Sequence, residues 1–226
     1  LPWPGAERPA PLGSAVAFVA NDWHAALTPV YLAGRHQRHG ALAGSRCVQV
    51  VHNLAHAGAF PEWTFDSLGL PGEWFHALAW AWPDGGRSLN TLKAGIACAS
   101  AAVVVSPTYR REVCTRAGGC GMDGVLRRSA GALGRGLRGV VNGIDVEEWD
   151  PSSDPHTAAP YSANDLSGKR ACKEALQREM GLEVDADVPL VGFVGRLDHQ
   201  KGVDVLLELA PWLVAQGVQV VALGSG

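Results

Sequence analysis

The sequence contains few cysteines, and no two of them stand at metal-binding spacing. Its 226 residues include five cysteines, an odd number, without a C-x-x-C pair. Disulfide-stapled secreted domains and zinc knuckles both need cysteines that recur in pairs. The count therefore predicts neither a disulfide framework nor a zinc site, and it favours a reducing compartment.

The sequence has neither a large excess of charge of one sign nor a long apolar run. Nineteen Lys and Arg stand against 22 Asp and Glu, a formal net charge of −3, and no basic block occurs. Without such a block the chain has no electrostatic footprint for a phosphate backbone, so we predict no nucleic-acid partner. The longest largely apolar stretch, 96–105, is about half of the roughly 20 residues that a membrane helix needs. We therefore predict no membrane span.

What is present is enough apolar sequence for a packed core and an alternation of strand and helix patterns. Hydrophobic residues make up 47% of the chain and charged residues 18%. Residues 1–13 are rich in proline and predict an extended lead-in. The predicted strands are 15–20, 46–52, 101–107, 140–145, 190–194 and 218–223, and the predicted helices are 23–34, 89–100, 108–115, 166–180 and 203–215. This order indicates an α/β protein with parallel sheets.

Polar residues follow several of the predicted strands. In parallel α/β sheets, ligands bind beyond the carboxyl ends of the strands. We expect four clusters to face one cleft, namely 21–24, 52–53, 142–145 and 195–202. A linker at 185–189 divides the chain into domains at 1–187 and 188–226.

The segment from Gly195 to Gly202 has the chemistry of a diphosphate site. Glycine permits close backbone approach, Arg196 offers a planar fork for phosphate oxygens, and Lys201 adds a compact positive charge before a helix N-terminus. A solvated basic turn is the alternative. The segment contains neither G-x-G-x-x-G nor a Gly-Lys-Ser/Thr ending, and Ser225 stands where a dehydrogenase would carry an acidic ribose ligand. A dinucleotide-binding dehydrogenase is therefore disfavoured.

Two further side chains, His52 and Asp22, each leave two interpretations. His52 can hydrogen-bond a hydroxyl-rich ligand or be a satisfied core histidine. His52 and His56 could share a metal on a helix, but Gly58 and Pro61 follow too closely for a helix, so we predict no metal site. Asp22 can accept sugar hydroxyls or cap the next helix, and capping is favoured by the residue types alone.

Aromatic residues are concentrated between positions 60 and 82. Most such groups form packed clusters, and a platform that binds sugars is the alternative. The residues concerned are Phe60, Trp63, Phe65, Trp74, Phe75, Trp80 and Trp82.

Five segments resemble a single enzyme family in order and spacing. They are 21–27 (Asn-Asp-Trp-His-Ala-Ala-Leu), 51–56 (Val-His-Asn-Leu-Ala-His), 141–145 (Val-Asn-Gly-Ile-Asp), 149–151 (Trp-Asp-Pro) and 192–202 (Gly-Phe-Val-Gly-Arg-Leu-Asp-His-Gln-Lys-Gly). Together they resemble the starch synthases and bacterial glycogen synthases from about Ser14 to Gly226. Segments 71–74 and 161–169 further resemble class I soluble starch synthases of plants and green algae.

The resemblance implies a GT-B fold of two Rossmann-like domains and a plastid location. The implied reaction is retaining transfer of glucose from ADP-glucose to the non-reducing end of an α-1,4-glucan, with no cofactor and no metal. By the same resemblance Arg196 and Lys201 bind the donor diphosphate and stabilise the leaving group, and His52 contacts the transferred glucose. The other substrate-binding positions that it implies are Asp22, Asn53, Asn142 and Gly195.

Two family segments are missing from the sequence, the Lys-x-Gly-Gly-Leu loop and the later Gly-rich segment that contains a glutamate. The chain also begins with Leu1 and carries no transit peptide, so we expect it to be part of a longer protein and inactive alone. Two other functions remain open, a non-catalytic glucan-binding protein and a GT-B transferase that uses UDP-glucose.

Overall fold

A parallel sheet organises the first part of the chain. The computed structural model describes residues 15–82, 85–131 and 136–226, so the lead-in predicted for 1–13 lies outside it. The strands are β1 Ala17–Asn21, β2 Arg46–Val51, β3 Ala59–Phe60, β4 Ala79–Ala81, β5 Arg87–Asn90, β6 Ala101–Val104, β7 Leu137–Gly139, β8 Leu190–Val194 and β9 Gln219–Leu223. The α-helices are α1 Leu27–Tyr31, α2 Phe75–Leu78, α3 Thr91–Cys98, α4 Pro107–Glu112, α5 Asp123–Gly131, α6 Gly168–Glu179 and α7 Val203–Ala215.

The chain divides into two compact units, one up to Asn142 and one from Gly143. The domain boundary predicted after residue 187 refers to the two catalytic domains of the family, and it stays a prediction. None of the helices in the described ranges is long and apolar enough to cross a lipid bilayer.

The first unit is built on a four-stranded sheet in the order β1-β2-β6-β7, with every pair parallel. Strand β2 is central, and Cys47, Gln49 and Val51 on it are buried. Helices cover the sheet and close a core that includes Leu92, Val104, Leu126 and Leu137. Because parallel strands are paired in register, their carboxyl ends lie along one edge.

A second, antiparallel sheet interrupts the parallel one. Strands β3, β5 and β4 pair in that order between β2 and α3. Aromatic side chains pack beneath it, with the rings of Phe65 and Phe75 5.4 Å apart edge to face and those of Trp80 and Trp82 6.1 Å apart. The packed-cluster interpretation is confirmed for Phe65, Phe75 and Trp80, which are buried or packed against the core. Phe60, Trp63 and Trp82 depart from it, since 40%, 80% and 38% of their surfaces are exposed.

Three predicted elements differ from the structure. The helix expected at 23–34 is a 3-10 turn (Trp23–Ala25), the short helix α1, a π turn (Leu32–His36) and a further 3-10 turn (Gln37–His39). The helix expected at 89–100 begins only at Thr91, because β5 pairs with its neighbours as far as Asn90 and the Asn90 carboxamide then caps α3 through Lys93 N (2.8 Å).

The strand expected at 140–145 ends earlier, since β7 covers 137–139 alone. Its partner β6 ends at Val104, opposite Gly139, and the chain turns at Ser106 into α4. Residues 140–145 therefore have no neighbouring strand in that sheet and are exposed or nearly so.

The second unit contains the parallel pair β8–β9, joined by α7, and the preceding helix α6. As predicted, the 166–180 helix forms as α6 and ends before Gly181, whose φ of +67° favours glycine. The fully buried Gln177 of α6 donates to the Gln219 carboxamide (2.7 Å) and to the Asp185 carbonyl (2.8 Å). This contact fixes α6 to the start of β9.

Candidate functional site

The ends of β1 and β2 bring together four of the polar residues singled out in the sequence. The Asp22 carboxylate accepts a hydrogen bond from His52 N at 2.7 Å and a longer one from Asn53 N at 3.4 Å. Nε2 of His52 lies 3.1 Å from the Asn21 carboxamide oxygen. We call this group, Asn21, Asp22, His52 and Asn53, the rim cluster.

Asp22 has a strained backbone. Its φ is 50° and its ψ −165°, a region that non-glycine residues rarely occupy. The side chain does not cap the following 3-10 turn, so the capping interpretation is wrong. The carboxylate instead accepts hydrogen bonds from the backbone N–H groups of His52 and Asn53, at the end of the neighbouring strand.

The buried amide of Gln49 supports this conformation from below. Gln49 is 0% exposed, and its Nε2 donates to the carbonyls of Ala20 (3.1 Å), Asp22 (3.0 Å) and Val50 (3.2 Å). Sequence reasoning missed this residue. The available signal was a single polar residue within the apolar pattern of a central strand, because such a residue must find partners inside the protein.

Tyr109 from α4 fixes the segment that follows His52. Its hydroxyl accepts a hydrogen bond from Leu54 N at 3.2 Å, and Leu54 is fully buried. Burial raises the pKa of Tyr109, although the bond from Leu54 acts in the opposite direction. The phenol therefore stays neutral and serves as a fixed acceptor. This residue was also missed, since nothing in its local sequence indicates a partner 55 positions away.

His52 is exposed, so the core-histidine interpretation is wrong. The segment from His52 to Gly58 is not helical, and His52 and His56 therefore do not share a helix face. No group of three or more His, Cys, Asp or Glu suited to a metal ion occurs in the described residues. The imidazole of His52 is available at the surface to meet a ligand.

Asn142 follows β7 and is exposed. Two strand intervals separate β7 from β2, a distance of about 10 Å. Asn142 lies three residues beyond the end of β7, and none of the hydrogen bonds of the described residues joins it to the rim cluster. Three residues further on, the backbone N–H groups of Glu148 and Glu147 lower the pKa of Asp145.

The second unit holds the other group of predicted residues, between β8 and α7. The Asp198 carboxylate caps the 3-10 turn His199–Lys201 by accepting from Lys201 N at 3.1 Å, and it lies 3.2 Å from Nη2 of Arg196. Gly202 then turns the chain with φ 73° into α7. We call this segment, from Gly195 to Gly202, the cationic turn.

Close backbone packing fixes the start of the cationic turn. Gly195 N donates to the Leu223 carbonyl at 3.1 Å, and a Cβ at Gly224 would collide with the Gly195 carbonyl oxygen. The side chain of Arg196 is 62% exposed, and Lys201 forms no ion pair with a carboxylate in the described part of the chain. Two cationic groups are thus presented at the start of a helix of 13 residues, whose N-terminus also favours anions.

One glycine pattern lies elsewhere. Residues 119–124 read Gly-Cys-Gly-Met-Asp-Gly, which has G-x-G-x-x-G spacing. The segment runs from the turn after α4 into the first two residues of α5 and does not follow a strand. A dinucleotide fingerprint requires a strand, a tight turn and a helix in succession, so this pattern is not one.

The fold class is therefore α/β with parallel sheets, a class that binds ligands beyond the carboxyl ends of its strands. Comparison with known proteins makes the assignment specific. Residues 14–128 match the family model described as the starch synthase catalytic domain. The chain belongs to this family.

Named relatives are found among plants and bacteria. The chain is 45% identical over 222 residues to soluble starch synthase 1, chloroplastic/amyloplastic, of Solanum tuberosum, covering 95% of this chain and 34% of the relative. It is 50% identical over 206 residues to a glycogen synthase of Anaeromyxobacter sp. (strain Fw109-5), covering 91% and 42%. The chain thus spans about a third to two fifths of these relatives.

A solved structure agrees with the fold. The catalytic domain of starch synthase IV from Arabidopsis thaliana, bound to ADP and acarbose, matches with a TM-score of 0.76 and 30% identity, covering 92% of this chain and 42% of that one. The predicted α/β, GT-B class is confirmed. The common cleft and the roles of the individual site residues stay predictions.

Proposed function

We propose that the protein containing this chain transfers glucose from ADP-glucose to the non-reducing end of an α-1,4-glucan, with retention of configuration. The observation that carries the proposal is the family membership over residues 14–128. The named relatives are starch and glycogen synthases, and the solved neighbour was bound to ADP and acarbose. The proposed reaction requires two substrates, the donor ADP-glucose and the glucan acceptor, and no cofactor.

Arg196 and Lys201 are the proposed diphosphate-binding and leaving-group-stabilising residues. Negative charge develops on the departing phosphate oxygen when the glycosidic bond to the donor breaks. Fixed positive charge at that point lowers the barrier, because it binds the transition state more strongly than the ground state. Two cations and a helix N-terminus supply this charge from the chain itself, so the proposed reaction needs no metal ion. Gly195 allows the phosphate to approach the backbone.

His52 and Asp22 are proposed to bind the transferred glucose. The exposed His52 ring offers a hydrogen-bonding nitrogen, Asp22 holds the His52 backbone N–H at 2.7 Å, and the Asn21 carboxamide oxygen lies 3.1 Å from Nε2 of the ring. Asn53 and Asn142, at the ends of β2 and β7, are the remaining proposed substrate contacts. The strained backbone of Asp22 supports this proposal, since strain of this kind is concentrated at binding sites.

A plastid location is also proposed, on the names of the plant relatives, which are chloroplastic/amyloplastic. Bacterial glycogen synthases match as well. Fractionation of the source cells, with the protein detected by an antibody to this chain, tests the location. Recovery with the cytosolic fraction would contradict it.

The reaction is tested with the native protein, captured by an antibody raised to this sequence. ADP-glucose and UDP-glucose are supplied in parallel, with a maltooligosaccharide as acceptor. We expect elongation from ADP-glucose. Elongation from UDP-glucose alone would show that the donor is UDP-glucose and not ADP-glucose. Glucan binding without transfer from either donor would identify a non-catalytic glucan-binding protein.

A further inference from the structure

Trp63 is the most exposed tryptophan of the described residues, with 80% of its surface in contact with solvent. Nearby aromatic rings behave differently, since Phe65, two positions on, is buried in the core. Isolating an indole in water leaves a large apolar surface uncovered. Tryptophan is enriched at binding interfaces, because its ring combines a large apolar area with a polar N–H group.

The backbone beneath Trp63 is firmly held. Trp63 is the second residue of the 3-10 helix Glu62–Leu68, which begins after Pro61. Phe65 anchors this helix against Phe75, with ring centroids 5.4 Å apart, and Glu62 forms an ion pair with Arg87 of β5 at 3.0 Å. The backbone that carries the indole is therefore fixed, which lowers the entropy cost of binding a ligand there.

Ring contacts join Phe60 to Trp23, the residue that follows Asp22 of the rim cluster. Phe60, 40% exposed, lies 5.8 Å from Trp23, and Trp23 stacks on His24 at 4.0 Å. Trp23 directly follows Asp22, and it packs so closely on Gly58 that a Cβ there would lie 2.8 Å from the tryptophan. The chain from Phe60 to Trp63 spans at most about 11 Å.

We propose that Phe60 and Trp63 form an accessory binding surface for the α-1,4-glucan acceptor, holding glucosyl units beyond those at the rim cluster. One face of a glucose ring presents C–H groups, which pack favourably on the electron-rich face of an aromatic ring. Glu62 and Arg87 neutralise each other beside this surface, which suits an uncharged polysaccharide. The inference rests on the proposed function.

The test separates long acceptors from short ones. Trp63→Ala and Phe60→Ala are introduced into the native protein, and KM and kcat are measured with ADP-glucose and either glycogen or maltotriose. We expect a roughly three- to tenfold higher KM for glycogen, the range of one aromatic contact, with kcat and the KM for maltotriose unchanged. Trp63→Phe should restore most of the affinity.

A matched control lies in the same 3-10 helix. Ser67→Ala removes a hydroxyl that donates only to the Thr64 carbonyl (2.6 Å), so it should leave both KM values unchanged. Migration in a native gel that contains glycogen reports binding without catalysis. Unchanged glycogen KM and migration in Trp63→Ala would overturn the surface while leaving the transferase intact. If the wild type is retarded by glycogen but shows no transfer, and Trp63→Ala is not retarded, the result would support the surface and contradict the proposed activity.

Discussion

The rim cluster and the cationic turn place their functional groups by different means. In the rim cluster a strained Asp22, a buried Gln49 and the phenol of Tyr109 hold the segment after β2 through hydrogen bonds of 2.7–3.4 Å. In the cationic turn the Arg196 side chain is 62% exposed and its partner Asp198 is 37% exposed. One group is positioned by buried polar contacts, and the other is presented by a backbone turn.

The two groups should therefore respond differently to mutation. Buried hydrogen bonds contribute to stability, because a donor left without its acceptor pays its full desolvation cost. Exposed ion pairs contribute little to stability, since water screens them. We therefore expect changes in the cationic turn to alter the reaction rate alone and changes around the rim cluster to alter stability as well.

The largest effect is expected from Lys201→Ala and Arg196→Ala. Loss of one group that stabilises developing charge costs about 10²–10³-fold in kcat. The folded state should be unaffected, so circular dichroism and the urea midpoint should match those of the wild type. Initial rates with ADP-glucose measure the effect. Arg170→Ala, which removes an arginine of α6 whose side chain is 71% exposed, serves as the control for transfer. A drop of less than threefold in both variants would exclude these residues from leaving-group stabilisation.

Gln49→Met is expected to give the largest change in stability at the rim cluster. It removes the contacts that the two N–H groups of Nε2 share among three carbonyls while nearly keeping the side-chain volume, at a cost of about 2–3 kcal/mol in the free energy of unfolding. The loss is partly offset, because Oε1 of Gln49 is itself buried without a hydrogen-bond partner in the described residues. Urea unfolding followed by tryptophan fluorescence measures it.

The matched control for this change is Gln216→Met. Gln216 is exposed at the end of α7, so its replacement should shift the urea midpoint little. Equal midpoints for Gln49→Met and the wild type would show that the amide does not support the rim cluster.

Local sequence predicted β1, β2, β6, β8 and β9 well because their apolar runs match a strand of a parallel sheet, but it missed β7 at 137–139. It also placed Asp22, His52 and Asn53 correctly at strand ends. It could not give the pairing of β3 with β5, which delays the start of the helix expected at 89–100 to Thr91, since pairing depends on a segment 30 positions away. The anchoring role of Tyr109 was hidden for the same reason, whereas Gln49 was detectable as the one polar residue within the apolar run of β2.

At Asp22, glycine is expected to be a more stable replacement than alanine, the reverse of the usual order. Asp22→Ala loses the acceptor for His52 N and keeps the strain of φ 50°, at a cost of about 2 kcal/mol. Asp22→Gly loses the same acceptor but relieves the strain, which contributes about 1 kcal/mol or more. The glycine variant should therefore unfold at higher urea than the alanine variant, although glycine is elsewhere the less stable choice. The reverse order would contradict a strained backbone at Asp22.

Tyr109→Phe is expected to have the smallest effect and a distinctive pH dependence. It leaves the buried Leu54 N–H without its acceptor, at a cost of about 1 kcal/mol. Because burial raises the pKa of Tyr109 above its ordinary value of 10.0, the unfolded chain loses the phenolic proton first as pH rises. The stability that the phenol contributes is thus fully present below pH 10 and is lost above it. Urea midpoints of the two proteins should therefore converge between pH 9 and the alkaline limit of folding, whereas a constant difference across that range would show that the Tyr109 hydroxyl is not a buried acceptor.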